Sequence, residues 1–293
     1  MDKGLEDATK FLNQQVFRNG SGLIGRVNGA VTASTSVTFD AAVKTHFDFQ
    51  MPVDIYDSAL GEKQVDAIKI NDISTSANTL TMASAQTCDD NGYIYRAGVY
   101  DNAPSDGKEL NGLPRITDDG SDFATFENIT RSGTGYIPSF KGIEIDASSA
   151  NLSDDMLQRV LENFATYGSG LQPDWLLMSQ AQKRKYLSLT LPQVQFDPGK
   201  NRDTGVKGEI SWQGLRCTID VHCGRDEFYM LNSGCLMKYE LAPLSWSDEF
   251  GGSIVKPLDG YDAGYAYARY YGNLGSEEPR GIIRVYSLAT PTL

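Results

Sequence analysis

The sequence has 293 residues, of which 40% are hydrophobic and 22% are charged, and its formal net charge at pH 7 is −12. This length and composition indicate a globular chain with one large domain or two smaller ones. The acidic balance argues against a broad phosphate-binding face. No apolar run comes near the roughly 18 residues of a membrane span, and no secretory signal opens the sequence, so we expect no export from the cytoplasm.

The first element is predicted to be an amphipathic helix over residues 5–18, because apolar residues recur there at helical spacing. Asn19-Gly20 supplies a C-terminal stop. Gly20, Gly22 and Gly25 together spell G-x-G-x-x-G, the dinucleotide-binding fingerprint. That fingerprint needs a strand before it and a helix after it, whereas here a helix enters and strands leave. We therefore expect no cofactor at these glycines.

From Leu23 to about Tyr100, short Val-, Thr- and Ile-rich segments alternate with turn residues. This pattern predicts a small antiparallel sheet or barrel, closed by a polar loop from Asp101 to Gly112.

A helix, a buried strand and a second helix are predicted next. Ser153 is placed as an N-cap, with Leu152 and Leu157 at staple spacing, and Gly168 ends the first helix. "DWLLM" follows as the strand. Ser179 and Gln182 predict a capping box for the second helix, which runs to about Leu189.

The rest of the chain consists of a glycine-containing loop, "QFDPGKNRDTGVKG", and further strands. In "LRCTIDV", the period of two predicts that Leu215, Cys217, Ile219 and Val221 share an inward face. Strands outnumber helices, so the predicted fold class is α+β.

Catalytic and metal-binding patterns are weak throughout. The two histidines, His46 and His222, accompany no nucleophile elbow, and no C-x-x-C pair supports zinc near His222. The acidic group Asp118, Asp119 and Asp122 fits turn or cap roles better than hydrolytic or metal chemistry. The basic run at residues 183–185 is typical of a solvated helix face. We expect no catalytic residue, no cofactor and no metal.

Tyrosines are concentrated in "GYDAGYAYARYYGNLG", which contains Tyr261, Tyr265, Tyr267, Tyr270 and Tyr271. Stacking on nucleic-acid bases is one interpretation. A strand at a subunit contact is favoured, because Tyr is common in strands and interfaces and only Arg269 lies nearby as a cation.

This order of elements resembles the major capsid proteins of tailed bacteriophages, the Hong Kong 97-type fold. The resemblance is carried by the helix that ends in Asn-Gly-x-Gly and by "MLQRVLENFATYGSGLQPDWLLMSQAQKRKYLSL", and it extends to "ISWQGLRCTIDVHC" and the closing "GYAYARYYGNLG…PRGIIRVYSL". Within the second motif the matching positions are Gly170, Pro173, Asp174, Ser179 and Tyr186.

The resemblance implies a spine helix, axial and peripheral domains, and an inserted small β-rich domain. Residues 1–48 would hold the spine helix and first strands, 49–112 the inserted domain, and 113–293 the axial and peripheral elements. The family's N-terminal arm and extended loop precede its spine helix, so we expect them to be missing or replaced here. The candidate capsomer-axis loop comprises Pro198, Gly199, Lys200, Asn201, Arg202 and Asp203.

The function implied is that of a structural, non-enzymatic shell protein. It would assemble with itself into pentamers and hexamers of an icosahedral head that encloses double-stranded DNA without sequence-specific binding. Portal, scaffold or decoration proteins would be further partners, and the protein would assemble in the host cytoplasm and reside in the virion. Two alternatives stay open: an encapsulin-like bacterial nanocompartment shell, and a hydrolase or carbohydrate-binding protein that uses the acidic loops.

Overall fold

The computed structural model describes residues 2–40, 46–74, 77–100, 109–134, 140–168, 170–190, 210–247, 254–257, 260 and 264–290. The candidate capsomer-axis loop, residues 198–203, lies outside the described residues. The predicted α+β class is confirmed. Within the described ranges, no helix is both long enough and apolar enough to cross a membrane.

Besides short 3-10 helices at Ser233–Cys235 and Pro279–Gly281, the described ranges contain four α-helices and eighteen strands. In chain order they are α1 (Asp2–Val16), β1 (Leu23–Arg26), β2 (Val31–Thr38), β3 (Pro52–Tyr56), β4 (Lys63–Ser74), β5 (Thr79–Cys88), β6 (Tyr93–Arg96), α2 (Leu113–Thr117), β7 (Thr125–Phe126), β8 (Ile129–Thr130), β9 (Ile143–Asp146), α3 (Asp154–Tyr167), β10 (Trp175–Met178), α4 (Gln180–Thr190), β11 (Ile210–Trp212), β12 (Leu215–Ile219), β13 (Phe228–Leu231), β14 (Met237–Trp246), β15 (Lys256–Pro257), β16 (Gly264–Tyr265), β17 (Ala268–Gly275) and β18 (Ile282–Tyr286).

The turn after α1 has the geometry that its glycines predict. Gly20 and Gly22 adopt φ angles of +78° and +79°, in the left-handed region that favours glycine. β1 starts directly after them. A helix therefore enters the motif and a strand leaves it, which is the reverse of a dinucleotide-binding turn.

The first six strands form one antiparallel sheet in the order β1-β6-β3-β4-β5-β2. A bridge between Val27 and Phe39 joins the ends of the two edge strands, so the sheet closes into a small barrel. Its interior is filled by buried aliphatic side chains, among them Val53, Ile55 and Leu80.

The barrel contains strands from both of the first two predicted segments. β1 and β2 fall within 1–48, whereas β3 to β6 fall within 49–112. The predicted division at residue 48 thus passes through a hydrogen-bonded sheet, because β2 pairs with β5 across it.

The second large sheet has the order β11-β12-β10-β13-β18-β9. It is mixed, with parallel pairs β10–β12 and β18–β9. Both faces are covered. Leu176 and Met178 of β10 pack with α3 in one core, while Leu177 packs in a second core with Phe17, next to α1, and with α2.

The helix caps around α3 and α4 follow local sequence signals. Ser153 Oγ accepts a hydrogen bond from Met156 N at 3.2 Å, as expected of an N-cap. Ser179 Oγ likewise accepts from Gln182 N at 3.4 Å. The second half of the predicted capping box is replaced by a longer-range contact, because Gln182 Nε2 donates to the carbonyl oxygens of Arg225 and Ala289.

The prediction that Val221 lies on the inward face of its strand is wrong. Leu215 and Cys217 are buried as expected, but β12 ends at Ile219 and Val221 is 71% exposed. The reason is local: Asp220 Oδ1 accepts from His222 N at 2.8 Å, which turns the chain away from the strand direction.

Candidate assembly surface

β14 and β17 form a long antiparallel ribbon. β14 has ten residues and β17 has eight, so the ribbon extends for about 30 Å at roughly 3.3 Å per residue. Within the described ranges, neither strand pairs with a third.

One side of the ribbon packs against α1. A Cβ added to Gly4 would lie 3.0 Å from the Trp246 ring, so the helix approaches the strand closely there. Leu12 and Tyr270 line a shared cleft further along. The small residue at position 4 allows this approach, and the contact leaves the other side of the ribbon for solvent.

The base of the ribbon is fixed by specific hydrogen bonds. Asn111 N donates to Asn273 Oδ1 at 2.7 Å. Ser276 N donates to Glu127 Oε1 at 3.2 Å, and Glu127 lies in the tight turn between β7 and β8. These contacts come from segments distant in sequence, so the base is held by the body of the protein while the strands extend from it.

The pairing of β14 with β17 is interrupted twice. The register shifts between Glu240 and Ala242 and again between Ala242 and Ser245. Leu241 is the extra residue at the first bulge and is 89% exposed. Bulges and an edge proline such as Pro243 weaken pairing with a further strand. The side chains of this strand, rather than its free edge, are therefore available for contact.

Exposed apolar side chains gather on the outer side and at the tip of this ribbon. We call this set the ribbon face; it comprises Tyr239, Leu241, Tyr265, Tyr267 and Tyr271. The rings of Tyr265 and Tyr267 meet edge to face with centroids 5.3 Å apart, and Ser247 N donates to the Tyr267 carbonyl, which ties them to the ribbon. Exposed apolar clusters of this kind mark interaction surfaces, and tyrosine is enriched at interfaces.

A lysine next to the ribbon face is paired with a carboxylate. Lys238 Nζ lies 3.0 Å from Glu240 Oε2, and this hydrogen bond raises the pKa of the lysine. The same ammonium is 5.6 Å from the centroid of the Tyr270 ring. A surface with a paired charge is less costly to cover than one with isolated charges.

Sequence reasoning located part of this surface and missed the rest. The sequence predicts an interface at Tyr261, Tyr265, Tyr267, Tyr270 and Tyr271. Tyr261 lies outside the described residues, and Tyr265, Tyr267 and Tyr271 are exposed. Tyr239 and Leu241 were missed, although "MKYEL" alternates apolar and charged residues in the manner of a strand with two different sides.

The predicted acidic group does not form a hydrolytic pair. Asp118 is buried, and its carboxylate accepts hydrogen bonds from the backbone N–H groups of Gly120, Asp122 and Phe123. Asp119 instead pairs with Lys141 at 3.5 Å. Asp118 therefore acts as a loop cap. No group of three His, Cys, Asp or Glu residues in the described ranges is placed to hold a metal ion.

The histidines and cysteines occupy structural positions. His46 is buried, and its Nε2 lies 3.1 Å from the His222 carbonyl oxygen. Burial, followed by the nearby Arg18, lowers the pKa of His46 to about 4. All four cysteines are free and buried, and burial raises the pKa of each thiol, that of Cys217 to about 11. The thiols are therefore protonated at neutral pH, which is unfavourable for a nucleophile or metal ligand.

No protein-family model and no curated protein matches the sequence. Among solved structures, the chain is similar to the capsid asymmetric unit of cyanophage A-1(L), at 14% identity and a TM-score of 0.47, over 63% of this chain and 62% of that one. It is similar to the mature capsid asymmetric unit of bacteriophage PhiM1, at 14% identity and a TM-score of 0.35, over 55% and 56% of the two chains. It is also similar to the holo-SrpI encapsulin complex from Synechococcus elongatus PCC 7942, at 11% identity and a TM-score of 0.37, over 50% and 52%.

These likenesses are partial. The chain spans less than two thirds of the length of each of the three matched structures. Phage capsids, the family that the sequence resembles, are among them.

Proposed function

We propose that this chain is a structural shell protein that assembles with itself into the capsid of a tailed bacteriophage. The observation that carries the proposal is the ribbon face, a cluster of exposed apolar side chains on a ribbon that the body of the protein anchors at its base. Such a surface suits repeated contact between copies better than it suits small-molecule chemistry, which needs a concave site with convergent polar groups.

The order of elements supports the same proposal. The resemblance to the Hong Kong 97-type fold requires a helix before a glycine turn, and later a helix, a buried strand and a second helix. α1, α3, β10 and α4 occur in that order. The three-segment division at 1–48, 49–112 and 113–293, and the role of residues 198–203 at the capsomer axis, belong to the proposal.

In the proposed particle, the copies form pentamers and hexamers of an icosahedral head that encloses double-stranded DNA. A net charge of −12 fits a shell that confines DNA without gripping its phosphates across a broad basic face. Portal, scaffold and decoration proteins are proposed as further partners, with assembly in the host cytoplasm and final location in the virion.

An encapsulin-like nanocompartment shell is the second proposal, since the same ribbon face would serve any closed shell. The contents of native particles separate the two: DNA supports the capsid, and an enclosed enzyme supports the nanocompartment. A hydrolase that uses Asp118, Asp119 and Asp122 is disfavoured, because Asp118 is engaged by three backbone N–H groups.

The proposal is tested by imaging the expressed protein and a ribbon variant. We expect the wild-type chain to form capsomers or shells in electron micrographs, and Leu241→Glu to remain in small species because it places a charge on the ribbon face. Phe49→Glu is the matched control: Phe49 is 67% exposed and lies outside the ribbon face, so this variant should assemble. A wild-type chain that stays monomeric under all conditions, or a Leu241→Glu variant that assembles normally, contradicts the proposal.

A further inference from the structure

The barrel and the rest of the protein have separate hydrophobic cores. The core of the barrel is built from residues 24–94. The two cores that cover the second large sheet are built from residues 16–17 and 113–288. We call the part formed by α1, α2, α3 and this sheet the body. Apolar burial holds each part together internally, so the contacts between barrel and body decide how firmly the two are docked.

Residues 46–48 are attached to the barrel. Phe47 is buried in the barrel core, where the centroid of its ring lies 4.8 Å from that of Phe39. Met51 N donates to the Asp48 carbonyl oxygen at 3.2 Å, just before β3 begins. A displacement of the barrel would therefore carry this segment with it.

The same segment makes polar contacts with the body. Arg18 Nη2 donates to the His46 carbonyl oxygen at 3.1 Å, and Gln14 Nε2 donates to Asp48 Oδ2 at 2.8 Å. His46 Nε2 donates to the His222 carbonyl oxygen at 3.1 Å. His46 is thus anchored to the barrel through the chain and buried against the body through its ring, so separation of the two parts would bring the ring into water.

The docked position of His46 disfavours a charged imidazole. Because Nε2 already carries the proton donated to the carbonyl, a second proton would bind Nδ1. The titratable and charged groups around this position come from every element packed there: Arg18, Asp48, Arg96, Glu109, His222 and Glu227. Burial and Arg18 outweigh the attraction of Glu227 and lower the pKa of His46 to about 4. In water the ring recovers its ordinary pKa of 6.5, so acid favours the exposed position.

We propose that His46 is an acid-sensitive contact between the barrel and the body: protonation of its imidazole releases the barrel, while barrel and body each keep their own core. The docked state holds a neutral ring and the released state holds a charged one, and pH sets the balance between them. This inference goes beyond the proposed shell function and does not depend on it, since it concerns a single chain.

Distances between nitroxide labels test the release in the unassembled full-length chain. Ala83→Cys on β5 and Ala165→Cys on α3 place the labels at exposed positions of barrel and body, and the native cysteines are buried. We expect one narrow distance distribution at pH 7.5 and an additional broad one at pH 4.5. The difference between a pKa of 6.5 and one of about 4 corresponds to a roughly 70-fold rise in the ratio of released to docked chains between these pH values.

Two variants assign the effect to one ring. In His46→Gln the ratio should rise roughly 70-fold less than in the wild type, because glutamine does not titrate. Glu109, whose pKa burial raises, favours the docked state in acid, but it is present in both chains and cancels. His222→Gln is the matched control, since it replaces the other histidine and keeps the backbone carbonyl, and it should retain the acid response.

Amide hydrogen exchange in β3 and β13 shows whether both parts stay folded, because these strands lie in the cores of the barrel and the body. Protection of both strands at pH 4.5 together with the broad distances supports the proposal. Loss of this protection would mean acid unfolding and would overturn it. A single narrow distribution at pH 4.5, or equal broadening in His46→Gln, also overturns it. The wild-type measurements decide the release by themselves if His46→Gln fails to fold.

Discussion

His46 makes the stability of this protein sensitive to mild acid. The imidazole is buried beside the end of α1, where Arg18 Nη2 donates to the His46 carbonyl oxygen at 3.1 Å. Burial and the positive charge of Arg18 oppose protonation, while the His222 carbonyl and Glu227 favour it less strongly. The result is a pKa of about 4 in the folded protein, compared with 6.5 for an ordinary histidine.

The size and sign of the effect follow from this difference. Between pH 6.5 and 4 the unfolded chain binds the proton and the folded chain does not, so the free energy of unfolding falls as the pH falls through this window. A pKa difference of one unit corresponds to about 1.36 kcal/mol. The difference between 6.5 and about 4 therefore corresponds to a maximum loss of roughly 3.4 kcal/mol in the free energy of unfolding. Above pH 6.5 this loss is absent, and at pH 4.5 the free energy of unfolding is about 2.5 kcal/mol lower.

The assay compares the wild-type chain with His46→Gln by denaturant unfolding of the unassembled protein at pH 7.5 and 4.5. Glutamine keeps an N–H donor for the His222 carbonyl and does not titrate. The variant should therefore lose about 2.5 kcal/mol less than the wild type between the two pH values. Buried carboxylates such as Glu109, whose pKa burial raises, are present in both proteins and cancel in the difference. Parallel losses of stability in the two proteins would refute the reasoning.

Three further substitutions test the structural roles assigned above, each by denaturant unfolding of the unassembled chain. Ser153→Ala removes the N-cap of α3 and should cost about 1 kcal/mol, whereas a cost near zero would show that the cap is unimportant. Asp118→Ala leaves three backbone N–H groups without their acceptor and should lower the free energy of unfolding by about 3 kcal/mol. Asp119→Ala, at the exposed end of the same loop, should lower it by less than about 1 kcal/mol. Equal losses in the two variants would contradict the cap role. Gly112→Ala would place a Cβ 2.5 Å from the Gln15 carbonyl oxygen and should cost about 2 kcal/mol, and a neutral effect would mean that residue 112 does not pack against α1.

Local features were predictable from the sequence because their causes are local. Ser153 caps α3 through a contact three residues away, and Gly20 adopts the left-handed conformation predicted for the turn after α1. The hydrophobic period also identified β10 and the start of β12. The end of β12 was missed because a side-chain turn at Asp220 overrode the period.

Features that depend on distant segments were not predictable. Closure of the barrel rests on the bridge from Val27 to Phe39 and on the pairing of β2 with β5, neither of which has a signal in the flanking residues. The exposure of Leu241 depends on where α1 packs, since a ribbon of two strands has no inside until another element covers one side. The sequence pattern therefore indicated the elements of the candidate surface better than its position.

The contacts around the end of α1 fix the orientation of the barrel relative to the ribbon. Arg18 and Glu109 form an ion pair at 3.2 Å with both side chains almost fully buried, and Gln14 Nε2 donates to Asp48 Oδ2 at 2.8 Å. Residues 48 and 109 belong to the two connections that lead into and out of barrel strands β3 to β6. The Arg96 guanidinium of β6 also lies 3.7 Å from the centroid of the Phe11 ring on α1.

A buried ion pair adds little net stability, but removing one partner leaves an uncompensated charge, so only one arrangement of the surrounding segments is favourable. The Arg18–Glu109 ion pair lies at the C-terminal end of α1, and Gly4 near its N-terminal end packs against Trp246 of the ribbon. Because one helix holds both, the barrel cannot rotate relative to the ribbon face without breaking buried polar contacts. A shell built from this chain would therefore present the barrel in one orientation on every copy, which is what repeated contacts between identical subunits require.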